Sequence, residues 1–185
     1  MPAITRVFLP LDPEQVETLT MGTPVRLYGS LYTARDAAHK RLIQALRNGE
    51  DLPLSLKSEL LYYVGPCPAQ PGRVIGSAGP TTSGRVDSYT PQLLAEGLKG
   101  MMGKGNRAPE VVESIKKHKA VYFAALGGAG ATLAAKIKKA EVIAYPDLGP
   151  EAVYRLEVED FPAVVAIDAF GNNLYQEGRR KYAKR

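Results

Sequence analysis

The sequence predicts an α/β fold in which helices pack on a mixed β-sheet. Three observations carry that expectation. Strand-like and helix-like segments alternate through the middle of the chain, both ends are rich in β-forming residues, and hydrophobic residues make up 45% of the 185. Alternation points to a layered α/β architecture, β-rich ends favour a mixed sheet over a purely parallel one, and this length and apolar fraction suit one globular domain spanning 1–185.

The elements follow in order. Ile4 to Leu9 reads as a first strand, and Asp12-Pro13-Glu14-Gln15 opens a short turn or helix with Asp12 as its cap. Val25 to Tyr32 is β-rich. Arg35 to Arg47 places Ala37, Ala38, Leu42, Ile43, Ala45 and Leu46 on one helical face, and Gly49 stops that helix. Leu60 to Val64 and Arg73 to Ser77 read as strands. Thr90-Pro91 reads as an N-cap with proline at the first helical position of a helix through Leu98. Gly100 to Gly105 reads as a glycine-rich loop, and Pro109 to His118 as a helix with Val111, Val112 and Ile115 inward. Ala120 to Leu126 is a strand, and Gly127-Gly128-Ala129-Gly130 turns into a helix from Ala131 to Lys139. Val142 to Ala144, Val153 to Val158 and Val164 to Asp168 are further strands, followed by a basic tail from about residue 172.

Composition narrows the function. No apolar run approaches a membrane span, and the N-terminus lacks the pattern of a secretory signal, so the expected location is cytoplasmic, without a membrane partner. The single cysteine, Cys67, rules out an intrachain disulfide framework and a self-contained iron–sulfur site. It is read as a small packed residue. The two histidines, His39 and His118, are far apart in sequence, and no metal site is expected from this chain alone. The net charge of +5 is spread over separate clusters at Lys116-Lys117-His118-Lys119, at Lys136 with Lys138-Lys139, and in the tail. Such clusters read first as solvated helix ends, and the aromatics do not interleave with them, so no nucleic-acid partner is expected.

The run Gly79-Pro80-Thr81-Thr82-Ser83-Gly84-Arg85-Val86-Asp87-Ser88-Tyr89 is the most informative. An arginine among hydroxyls, on a backbone that glycine frees to bend, suits a small anion such as a carboxylate. Two other segments share its chemistry, Thr33-Ala34-Arg35-Asp36-Ala37-Ala38-His39 and Met102-Gly103-Lys104-Gly105-Asn106. The lysine segment is not a phosphate-binding P-loop, because it lacks that spacing and the hydroxyl residue after lysine; Gly127-Gly128-Ala129-Gly130 likewise lacks the dinucleotide-binding spacing.

Together with Tyr62-Tyr63-Val64-Gly65-Pro66, and in this order, these segments resemble the smaller C-terminal part of the iron–sulfur-dependent class I fumarate hydratases, which in two-subunit enzymes is a separate beta subunit. The resemblance runs from Val25 to about Gly171. It implies a swivelling β/β/α-type domain and a hydro-lyase that reversibly dehydrates malate to fumarate. It implies a [4Fe–4S] cluster held by an alpha subunit, and a homodimer within a heterotetramer. Close alternatives are the beta subunit of an L-tartrate dehydratase and, in a different class, a non-catalytic anion- or RNA-binding module.

A C4 dicarboxylate needs two carboxylate grips, and guanidinium supplies each with two parallel hydrogen bonds. By resemblance Arg35 and Arg85 are those grips and Lys104 adds a further cation, while Thr81 lies beside the reacting carbon as the candidate catalytic proton acceptor or as part of a relay. A threonine hydroxyl is a poor base without an activating neighbour, and the sequence shows none. Read from the residues alone, Arg35 is equally a helix-start arginine beside Asp36, Arg85 a turn arginine and Lys104 an exposed loop lysine. Asp87 and Ser88 are read as fixing the turn through hydrogen bonds to backbone or to Arg85. His39, one helical turn after Arg35, is read as orienting it or as a plain polar helix residue. No function is attached to Ser83.

Overall fold

The structure is a computed structural model that describes residues 4–80, 82–125 and 130–183. Seven strands form one sheet: β1 (Thr5–Phe8), β2 (Pro24–Thr33), β3 (Leu60–Tyr62), β4 (Gly100–Gly103), β5 (Val121–Ala125), β6 (Ile137–Ala144) and β7 (Val153–Ile167). Strands β2, β3, β4 and β5 run parallel in that order. The long β7 then pairs antiparallel with both β5 and β2, which closes a ring of five strands. β1 adds parallel to β2 and β6 antiparallel to β7. The fold is thus α/β with a mixed sheet and packed helices, and the sheet closes on itself.

The ring explains why the central strands carry almost no polar residues. Side chains alternate across a strand, and here both faces are covered, so the sequence reads as continuous apolar runs. Leu60, Tyr62, Met102, Val121 and Phe123 pack inside with Leu27, Leu31, Phe161 and Val165. Leu61, Tyr63, Met101 and Tyr122 face outward against helices α2 (Asp36–Asn48), α3 (Thr90–Ala95) and α4 (Pro109–His118). Helix α1 (Pro13–Thr18) is capped by Asp12, whose carboxylate accepts the Glu14 N–H at 3.1 Å. Gly49 ends α2 at φ 70°, a left-handed conformation that glycine adopts without a Cβ penalty.

Several expected elements differ. Gly100–Gly103 is the buried strand β4, not a loop. Its glycines serve space rather than flexibility: a Cβ on Gly100 would lie 2.6 Å from Leu11, and one on Gly103 would lie 2.2 Å from the Ser83 hydroxyl. Arg73 to Ser77 forms no strand, because no neighbouring strand pairs with it. Helix α3 begins at Thr90, with Tyr89 in the cap position, and ends at Ala95. The Thr90 hydroxyl does not cap; it donates to the Val86 carbonyl at 3.0 Å. Helix α5 is short (Gly130–Ala134), since pairing with β7 takes Ile137 onward into β6. The two expected strands at 153–158 and 164–168 are the single strand β7. The basic tail folds into helix α6 (Leu174–Tyr182), capped by the Asn173 side chain accepting the Tyr175 N–H at 3.0 Å. Cys67 is exposed rather than packed, because the chain leaving β3 runs to the surface there. The Gly127–Ala129 part of the glycine turn and the last two residues of the tail lie outside the described residues. No helix among the described residues is long and apolar enough to cross a membrane.

Candidate functional site

Three of the singled-out segments leave the same end of the ring. Arg35 follows the last residue of β2 by two positions, Gly65-Pro66 follows β3, and Lys104 follows β4 directly. Arg85 sits in the β3–β4 connection, in a 3₁₀ turn at Ser83–Val86. Parallel strands therefore deliver these residues from their carboxyl ends, where α/β sheets generally bind ligands.

Arg35 occupies the cap position of α2 in extended backbone and is three-quarters buried, its guanidinium Nη2 3.7 Å from Glu151 Oε1. Arg85 is more open, with Nη1 3.6 Å from Asp36 Oδ2, so the arginine turn lies against the start of α2. Both separations exceed hydrogen-bonding distance, and neither acid saturates the guanidinium donors. Lys104 is exposed, but its backbone N–H donates to the Ser83 hydroxyl at 2.8 Å. Arg35, Arg85 and the Lys104 loop thus adjoin through Asp36 and Ser83. Ser88 is exposed at the end of the turn. Thr81 lies outside the described residues.

One residue that holds this arrangement escaped the sequence reading. The guanidinium of Arg107 is buried against the ring of Tyr122, 4.9 Å from its centroid. Its Nη1 donates to the Ser83 carbonyl and to Asp87 Oδ1, both at 2.7 Å. Asp87 Oδ2 accepts the Ala108 N–H at 2.9 Å, at the start of α4. Asp87 therefore partners Arg107 and backbone, not Arg85. Burial pushes its carboxyl up from the usual range, against the pull of Arg107 and the Ala108 N–H. A lone arginine in Asn106-Arg107-Ala108-Pro109 carries no sequence signal of this role.

The lysine loop is held from its other side by the C-terminal residues. Gly105 accepts from the Tyr122 hydroxyl at 3.1 Å and donates its N–H to the Tyr175 hydroxyl at 3.2 Å. Asn173 donates to the Asn106 side chain at 2.9 Å. Tyr175 lies in the first turn of α6, within the stretch that reads in sequence as a solvated tail.

His39 is fully buried below the α2 start, edge-on to Tyr63 and stacked at 6.2 Å on Tyr89. Its Nδ1 donates to the Arg35 carbonyl at 2.9 Å, and among the described residues its Nε2 has no hydrogen-bond partner. Burial lowers its pKa to about 4, although the Arg35 carbonyl and Asp36 act the other way. His39 is neutral near pH 7 and braces the backbone of Arg35.

Residues 4–178 match the family model described as the fumarase C-terminus. The chain belongs to the fumarase C-terminus family. Over 165 residues, 88% of this chain and 30% of the other, it is 42% identical to "Fumarate hydratase class I, aerobic" of Escherichia coli strain K12. It is 41% identical over 172 residues to "Fumarate hydratase 2" of Leishmania major, covering 91% of this chain and 30% of that protein. A protein of Methanocaldococcus jannaschii provisionally named L(+)-tartrate dehydratase subunit beta is 37% identical over 180 residues, 94% of this chain and 92% of that protein. The chain thus spans about 30% of the length of the fumarate hydratases it matches and nearly all of the beta-subunit relative.

Within this fumarase C-terminus chain, the donor set does not fit an iron–sulfur cluster. Such clusters are held mainly by several cysteine thiolates, and this chain has one cysteine. Among the described residues no three His, Cys, Asp or Glu side chains converge as a metal site. What the site offers is cationic hydrogen-bond donors.

Proposed function

We propose that this chain is the beta subunit of a class I fumarate hydratase, a hydro-lyase acting reversibly on malate, and that it grips the substrate carboxylates. The observation that carries the reading is the placement of Arg35 and Arg85 on adjoining segments at the carboxyl ends of the parallel strands of the mixed sheet, linked through Asp36. Family membership and the names of the relatives support it. The [4Fe–4S] cluster of the complete enzyme belongs in this reading to an alpha subunit, since this chain lacks the thiolates. The assembly is a heterotetramer with two copies of each subunit, and its setting is cytoplasmic.

In this reading Arg35 and Arg85 each take one carboxylate of the C4 substrate through paired N–H donors, which fixes its orientation as well as its charge. Lys104 adds positive charge where negative charge develops as the carbon beside a carboxylate loses its proton. Thr81 is the proposed acceptor of that proton, either directly once a group of the alpha subunit activates its hydroxyl or as part of a relay. His39, Asp87 and Ser88 act on the grips and the turn, not on substrate.

The test is anaerobic reconstitution with a cluster-bearing alpha subunit. The complex turns malate into fumarate, and the chain alone is inactive and lacks iron–sulfur absorbance. Turnover by the isolated chain overturns this division of labour. The 92% coverage of the Methanocaldococcus protein favours a second reading, an L-tartrate dehydratase beta subunit. Comparing kcat/KM for malate and tartrate on the same complex decides between them.

A further inference from the structure

The guanidinium of Arg35 lies beside a carboxylate that is itself held by backbone. Glu151 Oε2 accepts the Ala37 N–H at 2.9 Å, and its Oε1 stands 3.7 Å from Arg35 Nη2. Ala37 is in the first turn of α2, whose cap residue, Arg35, offers no side-chain hydrogen bond of its own. Glu151 therefore supplies the missing cap from a distant part of the chain. A carboxylate there also satisfies the positive end of the helix dipole.

The segment that carries Glu151 is fastened to α2 a second time. Arg41, about one turn beyond Ala37 along the helix, makes a two-pronged contact with Asp147, one bond at 2.8 Å, and lies 5.2 Å from the Tyr145 ring centroid. The stem of Arg35 is confined as well. A Cβ on Gly65 would lie 2.9 Å from Arg35 Cδ and 2.9 Å from the Pro150 carbonyl oxygen. Arg35 thus runs through a slot with Gly65 and Pro150 beside it and the Glu151 carboxylate at its head. At 3.7 Å the acid attracts the guanidinium without consuming its hydrogen-bond fork.

We propose that Glu151 is a positioning residue that holds the Arg35 guanidinium ready for a substrate carboxylate, by anchoring one oxygen on the Ala37 N–H and presenting the other to Arg35. The kinetic part of this inference rests on the dicarboxylate reading above; the side-chain part does not.

Glu151→Gln separates the two roles of the acid, because an amide oxygen still accepts the Ala37 N–H while the charge facing Arg35 is gone. In the full chain alone, the Arg35 Nε–Hε order parameter from ¹⁵N relaxation falls towards that of the more exposed Arg85. Thermal stability stays near wild type, because the helix cap remains. In the complex reconstituted with an alpha subunit, KM for malate rises about five- to tenfold with kcat little changed, the scale of a partly screened charge and a misaligned grip. In an Arg35→Gln background, Glu151→Gln has no further effect on KM. An Arg35 side chain equally ordered in wild type and Glu151→Gln overturns the proposal, whatever the kinetics. Independent KM effects of the two substitutions overturn it too. A wild-type complex that turns over neither malate nor tartrate defeats the dicarboxylate reading, and the relaxation comparison still decides the role of Glu151.

Discussion

Arg107 and Asp87 form an ion pair of 2.7 Å in which the arginine side chain is 1% exposed and the aspartate 11%. The pair joins the arginine turn to the start of α4, and the same guanidinium reaches the Ser83 carbonyl. Breaking one partner of such a pair leaves an uncompensated buried charge, which costs far more than an exposed bridge. Arg107→Met therefore lowers unfolding free energy by about 3–5 kcal/mol. Urea denaturation of the full chain measures it, and a loss below about 1 kcal/mol, the scale of a surface pair, shows that the pair does not secure the turn. The Asp87→Asn variant and the double variant complete a cycle that isolates the coupling.

His39 sets a pH dependence. Its unfolded value is near 6.5 and its folded value about 4. Between these the unfolded chain binds the proton and the folded chain does not, so stability falls as pH drops from about 6.5 to 4 and this contribution levels off below. The gap corresponds to roughly 3 kcal/mol. Unfolding free energy measured across this range should show the slope in wild type and lose it in His39→Gln. An imidazole that titrates near 6.5 by NMR contradicts the buried neutral state.

Gly65→Ala tests the slot around Arg35. The new methyl would sit 2.9 Å from both Arg35 Cδ and the Pro150 carbonyl. The arginine stem can move aside, but the contact with the backbone carbonyl is relieved only if the Gly65 or Pro150 backbone shifts too, and both movements displace the Arg35 side chain. The expected result in the reconstituted complex is a rise in KM of about tenfold or more, since small misplacements of a substrate grip are costly. Unchanged KM would mean that Arg35 does not hold substrate from this slot.

Much of the fold is legible because local and tertiary preferences agree. In α2 an amphipathic face, a first-turn acid and a stopping glycine all point one way, and the helix runs Asp36–Asn48. β4 is illegible for the opposite reason. Gly100 and Gly103 suggest a loop, yet their lack of a side chain is what lets Leu11, Leu60 and Ser83 close on a buried strand. Residues 137–139 continue a helical pattern that pairing with β7 overrides. At the site, the sequence singles out Arg35, Arg85 and Lys104 as residues on chemistry-bearing segments. It hides Glu151, Arg107 and Tyr175, because each acts across 70 to 114 residues of chain, or from a neighbouring loop, without a local motif.

The arginine turn itself is tested by Arg85→Lys with Thr81→Val. Lysine keeps the charge at Arg85 but offers a point charge in place of two parallel donors. The expected loss in kcat/KM is about a hundredfold, or roughly 2.7 kcal/mol of transition-state stabilisation. Folding should be little affected, because the Arg85 side chain is 63% exposed and its contact with Asp36 is a loose 3.6 Å. Thr81→Val keeps the shape and removes the hydroxyl. If Thr81 accepts the proton, kcat falls more than KM rises; if it only holds substrate, KM carries the change. The two variants are measured in the correctly assembled complex, verified by co-elution with the alpha subunit. Near wild-type kinetics for both would show that the turn does not line the active site, and the dicarboxylate reading of Arg85 would fall with it.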